Sequence, residues 1–475
     1  MPGVMIQDRR ADPRDDAGDG TERMSVGNAE ADYILGGGFP ANSINIIMGH
    51  PGSGKTIFAE QLIFHNAGDD RPILYFTTLS EPLAKVVRYL QGFRFFDENK
   101  LGTQVIYEDV GPQLAEKGAS ALVPLLREAI KTLSPKVIVI DSFKAVHDLA
   151  PEPAERRRMV YEMTALLTAY GTTAFLLGEY TEDDILRYPE FAVADGIVEL
   201  SRRRLGNRDE RYFRVYKLRG SRYLEGAHAF RISDSGLVIY PRLVSPRMPE
   251  GYEPASERIS TGVRGLDEML DGGLWRGTTT LLAGPSGAGK TTIGLQFALE
   301  GARRGEPSLY MNFQENPTQL MRTIRGLGVD LEEAQAQGLD LVYASPVELQ
   351  IDSIIVDMFR RIQQGGVRRL VIDALGDLAS AATDPQRLHD YLYALVQHFA
   401  VSTITSVLNF ETSGNTIAGN GMQNAMSYLS DNVLLLTVEG EERTRRTLRV
   451  LKTRGSAHDT KVREVQISAA GLCVL

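Results

Sequence analysis

Short apolar runs alternate along the chain with longer segments of amphipathic helical pattern. The first half contains SINIIMG, ILYFTTL, VIVIDS and TAFLLG, and the second half contains TTTLLAG, SLYMNF, RLVIDA and TITSVL. A continuous apolar run between amphipathic helices is typical of a strand in a parallel sheet that is covered on both faces. The pattern therefore predicts the α/β class twice, each time as a mostly parallel sheet flanked by helices.

The two halves of the chain repeat one another. The segment YILGGGFPANSINIIMGHPGSGKT at 33–56 is similar to EMLDGGLWRGTTTLLAGPSGAGKT at 268–291, an offset of 235 positions. The segments KLRGS and KTRGS, which begin at Lys217 and Lys452, keep the same offset. A period this long indicates duplicated domains rather than a solenoid of small repeats.

Local composition sets the predicted domain limits. The N-terminal segment is rich in Asp, Arg and Gly and lacks the apolar stretch of a signal peptide. The segment SPRMPEGYEPAS contains three prolines, which resist regular structure. We therefore expect a disordered tail over residues 1–22, a first domain over 23–244, a semi-rigid linker over 245–256 and a second domain over 257–475.

Overall composition narrows the classes of function. The formal net charge is −9, which is unfavourable for non-specific binding to nucleic acid. Cys473 is the only cysteine, so no intrachain disulfide can form and a reducing compartment is tolerated. No run of about 18 apolar residues occurs, so no membrane span is expected. We expect a cytoplasmic protein that associates with neither membranes nor DNA.

Both halves carry the pattern G-x-x-x-x-G-K-[ST] between a predicted strand and a predicted helix. The glycines let backbone N–H groups turn towards phosphate oxygens, and the start of the helix adds positive potential. We expect Lys55 and Lys290 to reach the β- and γ-phosphates of ATP, and Thr56 and Thr291 to hold Mg²⁺. The predicted ATP-binding residues are Gly49, His50, Pro51, Gly52, Ser53, Gly54, Lys55 and Thr56 in the first half, and Gly284, Pro285, Ser286, Gly287, Ala288, Gly289, Lys290 and Thr291 in the second.

An aspartate ends one apolar run in each half, downstream of the phosphate loop. Asp141 ends VIVID and Asp373 ends LVID. A carboxylate at the end of a buried strand beside a phosphate loop can orient Mg²⁺ through water, so both are predicted to be catalytic metal-site residues together with the loop lysines. The alternative is that each aspartate caps the helix that follows.

Hydrolysis of ATP also requires a group that activates or orients water. Glu315 follows the run SLYMNF and is the predicted catalytic base, the alternative being a surface carboxylate. The position 235 residues upstream is Ser80, and Glu81 is displaced from it by one residue, which reverses the side-chain direction on a strand. Hydrolysis by the first half therefore stays open.

Each half also has a lysine and an arginine two positions apart after a long predicted strand, Lys217 and Arg219 in the first and Lys452 and Arg454 in the second. Alternate positions share one face of a strand. Two cations aimed together suit a polyphosphate on which negative charge develops. The alternative is that they belong to a solvated edge strand.

With these features in order, the chain from about residue 24 to residue 475 resembles the KaiC family within the RecA superfamily. The resemblance implies two tandem RecA-like P-loop NTPase domains that hydrolyse ATP with Mg²⁺. It also implies a homo-oligomer, a hexamer of two stacked rings with ATP between adjacent subunits, in which the lysine and arginine pairs act in trans. Glu315 matches one of the family's paired catalytic glutamates, Gln314 replaces the other, and the first half has Leu79 and Ser80 instead.

The resemblance also bears on protein phosphorylation. The clock members of the family phosphorylate a Ser/Thr pair in their second half, and alignment on Asp431 places this pair on Ser427 and Tyr428, with a third position on Met422. This implies serine autokinase activity at Ser427, the alternative being that Ser427 only packs or caps near an interface. The chain stops at Leu475 without the tail that a clock regulator captures, so we expect a signalling ATPase outside the central clock, with an unknown protein partner.

Two other functions stay open. A DNA-repair ATPase of the same superfamily needs basic loops, yet the stretch 388–442 has no Lys or Arg and the stretch 159–201 has only Arg187. A nucleotide-held hexameric scaffold with little turnover is consistent with the first half, whereas Glu315 argues against it for the second.

Overall fold

The computed structural model describes residues 22–69, 72–78, 83–150, 152–205, 208–345, 350–380, 385–412, 414, 428–440 and 444–475. This part of the chain divides into two compact units, the first ending at Arg242 and the second beginning at Leu243. In the described residues no helix is long and apolar enough to cross a membrane.

The first unit is built on a nine-stranded sheet and a two-stranded ribbon. Its strands are β1 (Arg23–Met24), β2 (Phe39–Pro40), β3 (Ile44–Met48), β4 (Ile73–Thr77), β5 (Val105–Asp109), β6 (Val137–Asp141), β7 (Thr173–Gly178), β8 (Gly196–Leu205), β9 (Arg208–Leu218), β10 (Ala227–Ser233) and β11 (Gly236–Tyr240). The order in the large sheet is β11-β10-β9-β8-β3-β7-β6-β4-β5. In this order, neighbouring strands are parallel from β8 through β3, β7, β6 and β4 to β5. The strands β8, β9, β10 and β11 form an antiparallel meander.

Among the described residues of the first unit, eight α-helices connect these strands, with three short 3₁₀ turns at 98–100, 119–121 and 182–186. The helices are α1 (Ala29–Ile34), α2 (Lys55–Asn66), α3 (Leu83–Leu90), α4 (Gly111–Lys117), α5 (Leu122–Leu133), α6 (Phe143–Asp148), α7 (Pro153–Ala169) and α8 (Pro189–Val193).

The second unit repeats this plan. Its strands are β12 (Arg258–Ile259), β13 (Leu274–Trp275), β14 (Thr279–Gly284), β15 (Ser308–Asn312), β16 (Leu339–Tyr343), β17 (Arg369–Asp373), β18 (Thr405–Glu411), β19 (Asn432–Glu439), β20 (Arg445–Thr453), β21 (Arg463–Ser468) and β22 (Gly471–Val474). The helices are α9 (Leu266–Met269), α10 (Lys290–Arg303), α11 (Pro317–Gly326), α12 (Leu331–Ala336), α13 (Ile351–Gly365), α14 (Leu375–Ser380) and α15 (Pro385–Val401). The sheet order is β16-β15-β17-β18-β14-β19-β20-β21-β22.

Each large sheet is buried on both faces, because helices cover both sides. Along β3, Ile46 packs into the core of one face and Ile47 into the core of the other. In the second unit Leu281 and Leu282 of β14 divide in the same way. Burial on both faces explains why these strands are continuous apolar runs instead of alternating ones. The predicted fold class, a mostly parallel sheet flanked by helices in each half, is confirmed.

The segment between the units has no helix or strand from 241 to 257. Leu243 belongs to the core of the second unit. His398 Nε2 bonds to the Val244 carbonyl oxygen over 2.8 Å, and the Tyr252 hydroxyl donates to the Ala400 carbonyl over 3.2 Å. Tyr252 of the predicted linker and Val244, the last residue of the predicted first domain, therefore both contact helix α15 of the second unit.

Candidate nucleotide sites in the two units

The two phosphate loops leave the carboxyl ends of β3 and β14 and run directly into α2 and α10. Each helix begins after a glycine in the left-handed region, Gly54 at φ +108° and Gly289 at φ +105°, and neither glycine can cap the helix with a side chain. The first N–H groups of both helices therefore face the loop without a side-chain cap. This is the arrangement that binds phosphate at a helix N-terminus.

At Gly49 the first loop is packed too closely against the sheet to admit a side chain. A Cβ atom on Gly49 would lie 2.0 Å from the Leu200 carbonyl oxygen of β8. Within the loop the Ser53 hydroxyl is buried and has no hydrogen-bond partner among the described residues. A concave backbone with an unused hydroxyl fits an anionic group with several oxygens.

Each loop lysine is held against its own phosphate loop by hydrogen bonds to backbone carbonyl groups. The Lys55 ammonium donates to the carbonyl oxygens of Gly49 and His50 at 2.9 and 3.0 Å, and Lys290 donates to those of Gly284 and Pro285 at 2.8 Å each. An ammonium has three donors, so each lysine keeps one beyond these two bonds.

Burial lowers the pKa of both lysines, and nearby carboxylates oppose the shift. For Lys55 these are Glu179 and then Asp141, and for Lys290 they are Glu411 and then Asp373. Glu179 directly follows β7 and Glu411 ends β18, so the two residues occupy equivalent positions. Neither of them was assigned a role from the sequence alone.

The predicted threonine and aspartate come together in both units. The Thr56 hydroxyl donates to Asp141 Oδ2 over 3.0 Å, and the Thr291 hydroxyl donates to Asp373 Oδ2 over 2.8 Å. Neither aspartate directly precedes the following helix: Ser142 is the N-cap of α6, and Ala374 lies between Asp373 and the first residue of α14.

A tyrosine that the sequence analysis missed holds each of these aspartates. The Tyr75 hydroxyl donates to Asp141 Oδ2 over 2.8 Å, and the Tyr310 hydroxyl donates to Asp373 Oδ2 over 2.6 Å. Burial and then the aspartate charge raise the pKa of both tyrosines well above its usual value, so both stay protonated donors. The signal was present in the sequence, because the two tyrosines keep the 235-residue offset.

The first unit has a cleft of about 270 Å³ that is lined in part by Lys55, Thr56, Tyr75, Asp141 and Glu179. Glu60 also lies in its wall, one helical turn after Thr56.

Glu60 is fully buried, accepts a hydrogen bond from the Tyr107 hydroxyl over 2.6 Å, and has a second oxygen without a partner among the described residues. Burial raises the pKa of Glu60 to about 8, against the Tyr107 hydrogen bond and with help from the Asp141 charge. The equivalent position in the second unit is Leu295, which is part of the apolar core.

Glu315 lies beside the second aspartate. Asn312, the last residue of β15, accepts hydrogen bonds from the backbone N–H groups of Gln314 and Glu315 at 3.1 Å each and donates to the Glu315 carbonyl oxygen. One Glu315 carboxylate oxygen is buried without a partner in the described region. Burial and then the Asp373 charge raise the pKa of Glu315. The corresponding residues Leu79, Ser80 and Glu81 of the first unit lie outside the described residues.

In each unit the predicted trans-acting cations lie near the amino end of the phosphate-loop strand, and the phosphate loop leaves its carboxyl end. Arg219 follows the end of β9 and pairs with Asp195 at 3.4 Å, and Asp195 Oδ2 accepts a hydrogen bond from the backbone N–H of Ile44, the first residue of β3. The loop begins after Met48, so five strand residues, roughly 16 Å, separate Arg219 from its own loop.

The second unit has the same arrangement. Arg454 follows β20 and pairs with Asp431 at 3.6 Å, and Asp431 Oδ2 accepts a hydrogen bond from the backbone N–H of Thr279, the first residue of β14. Each lysine, in contrast, lies within the strand: burial and then the charge of the nearby arginine lower the pKa of Lys217 and Lys452. The two cations are therefore close together, although only the lysine belongs to the strand.

Ser427 and Met422 lie outside the described residues. The residues directly after Ser427 contact the cation pair, since Arg454 donates to the Tyr428 carbonyl over 2.6 Å and Lys452 donates to the Ser430 carbonyl over 2.7 Å.

The residues at both sites fit Mg²⁺ and ATP. A hydroxyl and a carboxylate provide the hard oxygen ligands that Mg²⁺ prefers, and phosphate oxygens and water commonly complete its shell. No group of three or more His, Cys, Asp or Glu side chains arranged for a metal was found in the described part of the chain.

Comparisons with known proteins agree with this geometry. The family model described as KaiC ATPase matches residues 25–244 and again residues 259–475. The circadian clock oscillator protein KaiC of Rippkaea orientalis is 29% identical over 93% of this chain and 86% of its own length. The circadian clock protein KaiC3 of Synechocystis is 28% identical over 96% of this chain and 92% of its own. The KaiC of Synechococcus elongatus is 28% identical over 93% and 86%. The chain therefore belongs to the KaiC family, with two ATPase domains in tandem.

Proposed function

We propose that the chain binds Mg²⁺ and ATP in both units and hydrolyses ATP in the second. The observation that carries the proposal is the cluster of Lys290, Thr291, Tyr310 and Asp373 at one edge of the sheet, with the raised-pKa carboxylate of Glu315 beside it.

Each residue has a distinct task in this proposal. Lys290 turns its remaining donor to the phosphates, and Thr291 with Asp373 holds Mg²⁺. Glu315 orients the attacking water and accepts its proton. A general base works best when its pKa lies near the working pH, and the raised pKa of Glu315 shifts this carboxylate in that direction. Tyr310 fixes the Asp373 carboxylate in the orientation that the metal requires.

The first unit has the same binding groups, namely Lys55, Thr56, Tyr75 and Asp141. Leu79 and Ser80 supply no carboxylate where the second unit has Gln314 and Glu315. ATP in the first unit is therefore expected to hold subunits together and to turn over more slowly.

The lysine and arginine pairs support assembly into a homo-oligomer, which we propose to be a hexamer. Arg219 and Arg454 lie about one strand length from the loop of their own unit. In a ring of identical subunits, one subunit can present this edge to the nucleotide of the next, where cations stabilise developing negative charge. Lys217 and Lys452 act with them.

We further propose that Ser427 accepts a phosphate in trans. The segment that follows it is tied to Lys452 and Arg454, so a nucleotide contacted by these cations would lie near Ser427. The clock relatives named above suggest a signalling output, with an unidentified protein partner.

ATP turnover by single-residue variants tests the hydrolytic proposal. Lys290→Ala and Glu315→Gln should each remove most Mg²⁺-dependent ATPase activity, on the order of 10²-fold or more. Glu332→Gln, which changes an exposed carboxylate on α12, is the matched control and should leave turnover unchanged. Full activity in both site variants would exclude the second unit as the hydrolytic site.

Phosphate on Ser427 is tested separately. Mass spectrometry after incubation with Mg·ATP should show a phosphate on Ser427 in the wild-type chain and none in Ser427→Ala. An unmodified Ser427 under conditions of active ATP turnover would refute the autokinase proposal and leave the ATPase proposal intact.

A further inference from the structure

The first cleft contains a carboxylate that none of the roles above uses. β7 lies between the phosphate-loop strand β3 and the aspartate-bearing strand β6, and Met48 of β3 pairs with Gly178 of β7. The next residue on each strand is Gly49 and Glu179. Glu179 therefore lies at the same sheet edge as the phosphate loop, and it lines the cleft with Lys55 and Asp141.

The local structure turns Glu179 towards the cleft. A Cβ atom on Gly178 would lie 2.1 Å from the Tyr180 ring, so glycine is needed for Tyr180 to fold back beside the strand. The Tyr180 hydroxyl then donates to the buried Glu190 over 2.7 Å. The Lys144 ammonium of α6 donates to the Glu179 carbonyl over 2.7 Å and fixes the backbone of Glu179 itself.

The carboxylate of Glu179 is accessible to a molecule that enters the cleft. The side chain is exposed and accepts no hydrogen bond in the described part of the chain, although Tyr180 and Asp184 on either side of the turn are buried. Its charge acts on Lys55 more strongly than that of Asp141 does. Glu411, opposite Gly284 in the second unit, has the same relation to Lys290, so this position was duplicated with the rest of the site.

We infer that Glu179 is the carboxylate that orients the attacking water in the first unit, where Leu79 and Ser80 provide none. It would take the proton that water loses as its oxygen bonds to the terminal phosphorus and the bond from phosphorus to the bridging oxygen breaks, giving ADP and phosphate. The inference rests on the proposed binding of ATP by the first unit.

A charge effect alone is distinguished from a water-orienting role by the turnover rate at saturating ATP, since neither predicts weaker nucleotide binding on loss of the carboxylate. If Glu179 only repelled phosphate, neutralising it would strengthen nucleotide binding and leave the rate at saturation unchanged. Loss of a water-orienting group instead lowers the rate at saturation, and it does not weaken binding.

The test is the turnover of the full-length chain with Lys290→Ala, which leaves the first site to be measured. Adding Glu179→Gln should lower the rate at saturating ATP at least tenfold, with Mg·ADP binding to the first site by calorimetry unchanged or tighter. Glu179→Asp should keep part of the rate. Asp183→Asn, an exposed carboxylate four residues further on, should keep all of it.

The inference is overturned if the Glu179→Gln rate stays within twofold of the Lys290→Ala chain, or if the loss disappears at higher ATP concentration. It is also overturned if the Lys290→Ala chain turns over no faster than a Lys55→Ala and Lys290→Ala double variant. That last result would leave hydrolysis by the second unit standing, because the wild-type rate reports it independently.

Discussion

Two hydroxyl groups position the aspartate at each site, and the tyrosine hydroxyl is the more informative of the two. Tyr310 is fully buried, and its hydroxyl reaches Asp373 Oδ2, the same oxygen that Thr291 contacts. A hydrogen bond from a buried hydroxyl to a carboxylate contributes about 1.5–3 kcal/mol.

Tyr310→Phe should therefore raise the Mg²⁺ concentration needed for half-maximal ATPase activity by roughly tenfold or more, since the carboxylate loses its fixed orientation. Tyr393→Phe, an exposed tyrosine on α15, is the control and should not change the Mg²⁺ requirement. An unchanged requirement in Tyr310→Phe would mean that Tyr310 does not position the metal-binding carboxylate.

Glu60 makes the stability of the first unit depend on pH. Burial raises its pKa from the ordinary value near 4.5 to about 8 in the folded chain. The folded state therefore holds a proton that the unfolded state has lost between these values, and stability falls as pH rises from about 4.5 towards about 8.

Glu60→Gln keeps an acceptor for Tyr107 and removes the titration. The melting temperature of the first unit should depend less on pH between 5 and 8 in this variant than in the wild type. At pH 8.5 it should be several degrees higher than in the wild type, at roughly 2–4 °C per kcal/mol. Differential scanning calorimetry across this range measures it. Parallel pH profiles for the two proteins would contradict a raised pKa at Glu60.

At the scale of strands and helices, the sequence predicted most of what positions the sites. The apolar runs ending in Asp141 and Asp373 became central strands, and both phosphate loops lead into helices. These features depend on local pattern and on glycine conformation, which can be seen in the sequence.

What the sequence could not show depends on neighbours from distant segments. From the sequence, Glu60 is predicted to be a solvent-facing residue of an amphipathic helix. Its burial depends on packing against Tyr107 of β5, which is distant in the sequence. Glu179 reads as the start of a loop, and only the order β3-β7-β6 brings it between the phosphate loop and Asp141.

The strand β17 is anchored by a buried arginine at its first residue. Arg369 is fully buried, pairs with Glu306 at 2.6 Å and donates to the Ser260 carbonyl over 2.8 Å, which ties β17 to the start of the second unit.

Removing one partner of a buried pair typically costs about 3–5 kcal/mol, so Arg369→Ala should lower the stability of the second unit by about that amount. Chemical denaturation followed by fluorescence of Trp275, the single tryptophan, reports on this unit. Arg368→Ala, at the neighbouring exposed position, is the control. Equal midpoints for the two variants would show that the Arg369 pair adds nothing to stability.

At the scale of the whole molecule, the two units place the same residue types beside their phosphate loops, whereas Leu79 and Ser80 stand where the second unit has Gln314 and Glu315. This supports the proposed division, in which the first unit mainly holds the assembly together and the second accounts for most of the ATP turnover. Lys55→Ala should therefore reduce the assembled fraction in Mg·ATP more than Lys290→Ala does, as measured by light scattering coupled to size-exclusion chromatography. Equal loss of assembly in both variants would contradict the division.

The claim on which the account depends most is that each chain binds nucleotide twice. Calorimetric titration of the purified chain with a non-hydrolysable ATP analogue and Mg²⁺ should give two nucleotides per chain, and one each for Lys55→Ala and Lys290→Ala. A wild-type stoichiometry of zero, or a stoichiometry that neither substitution reduces, would contradict it.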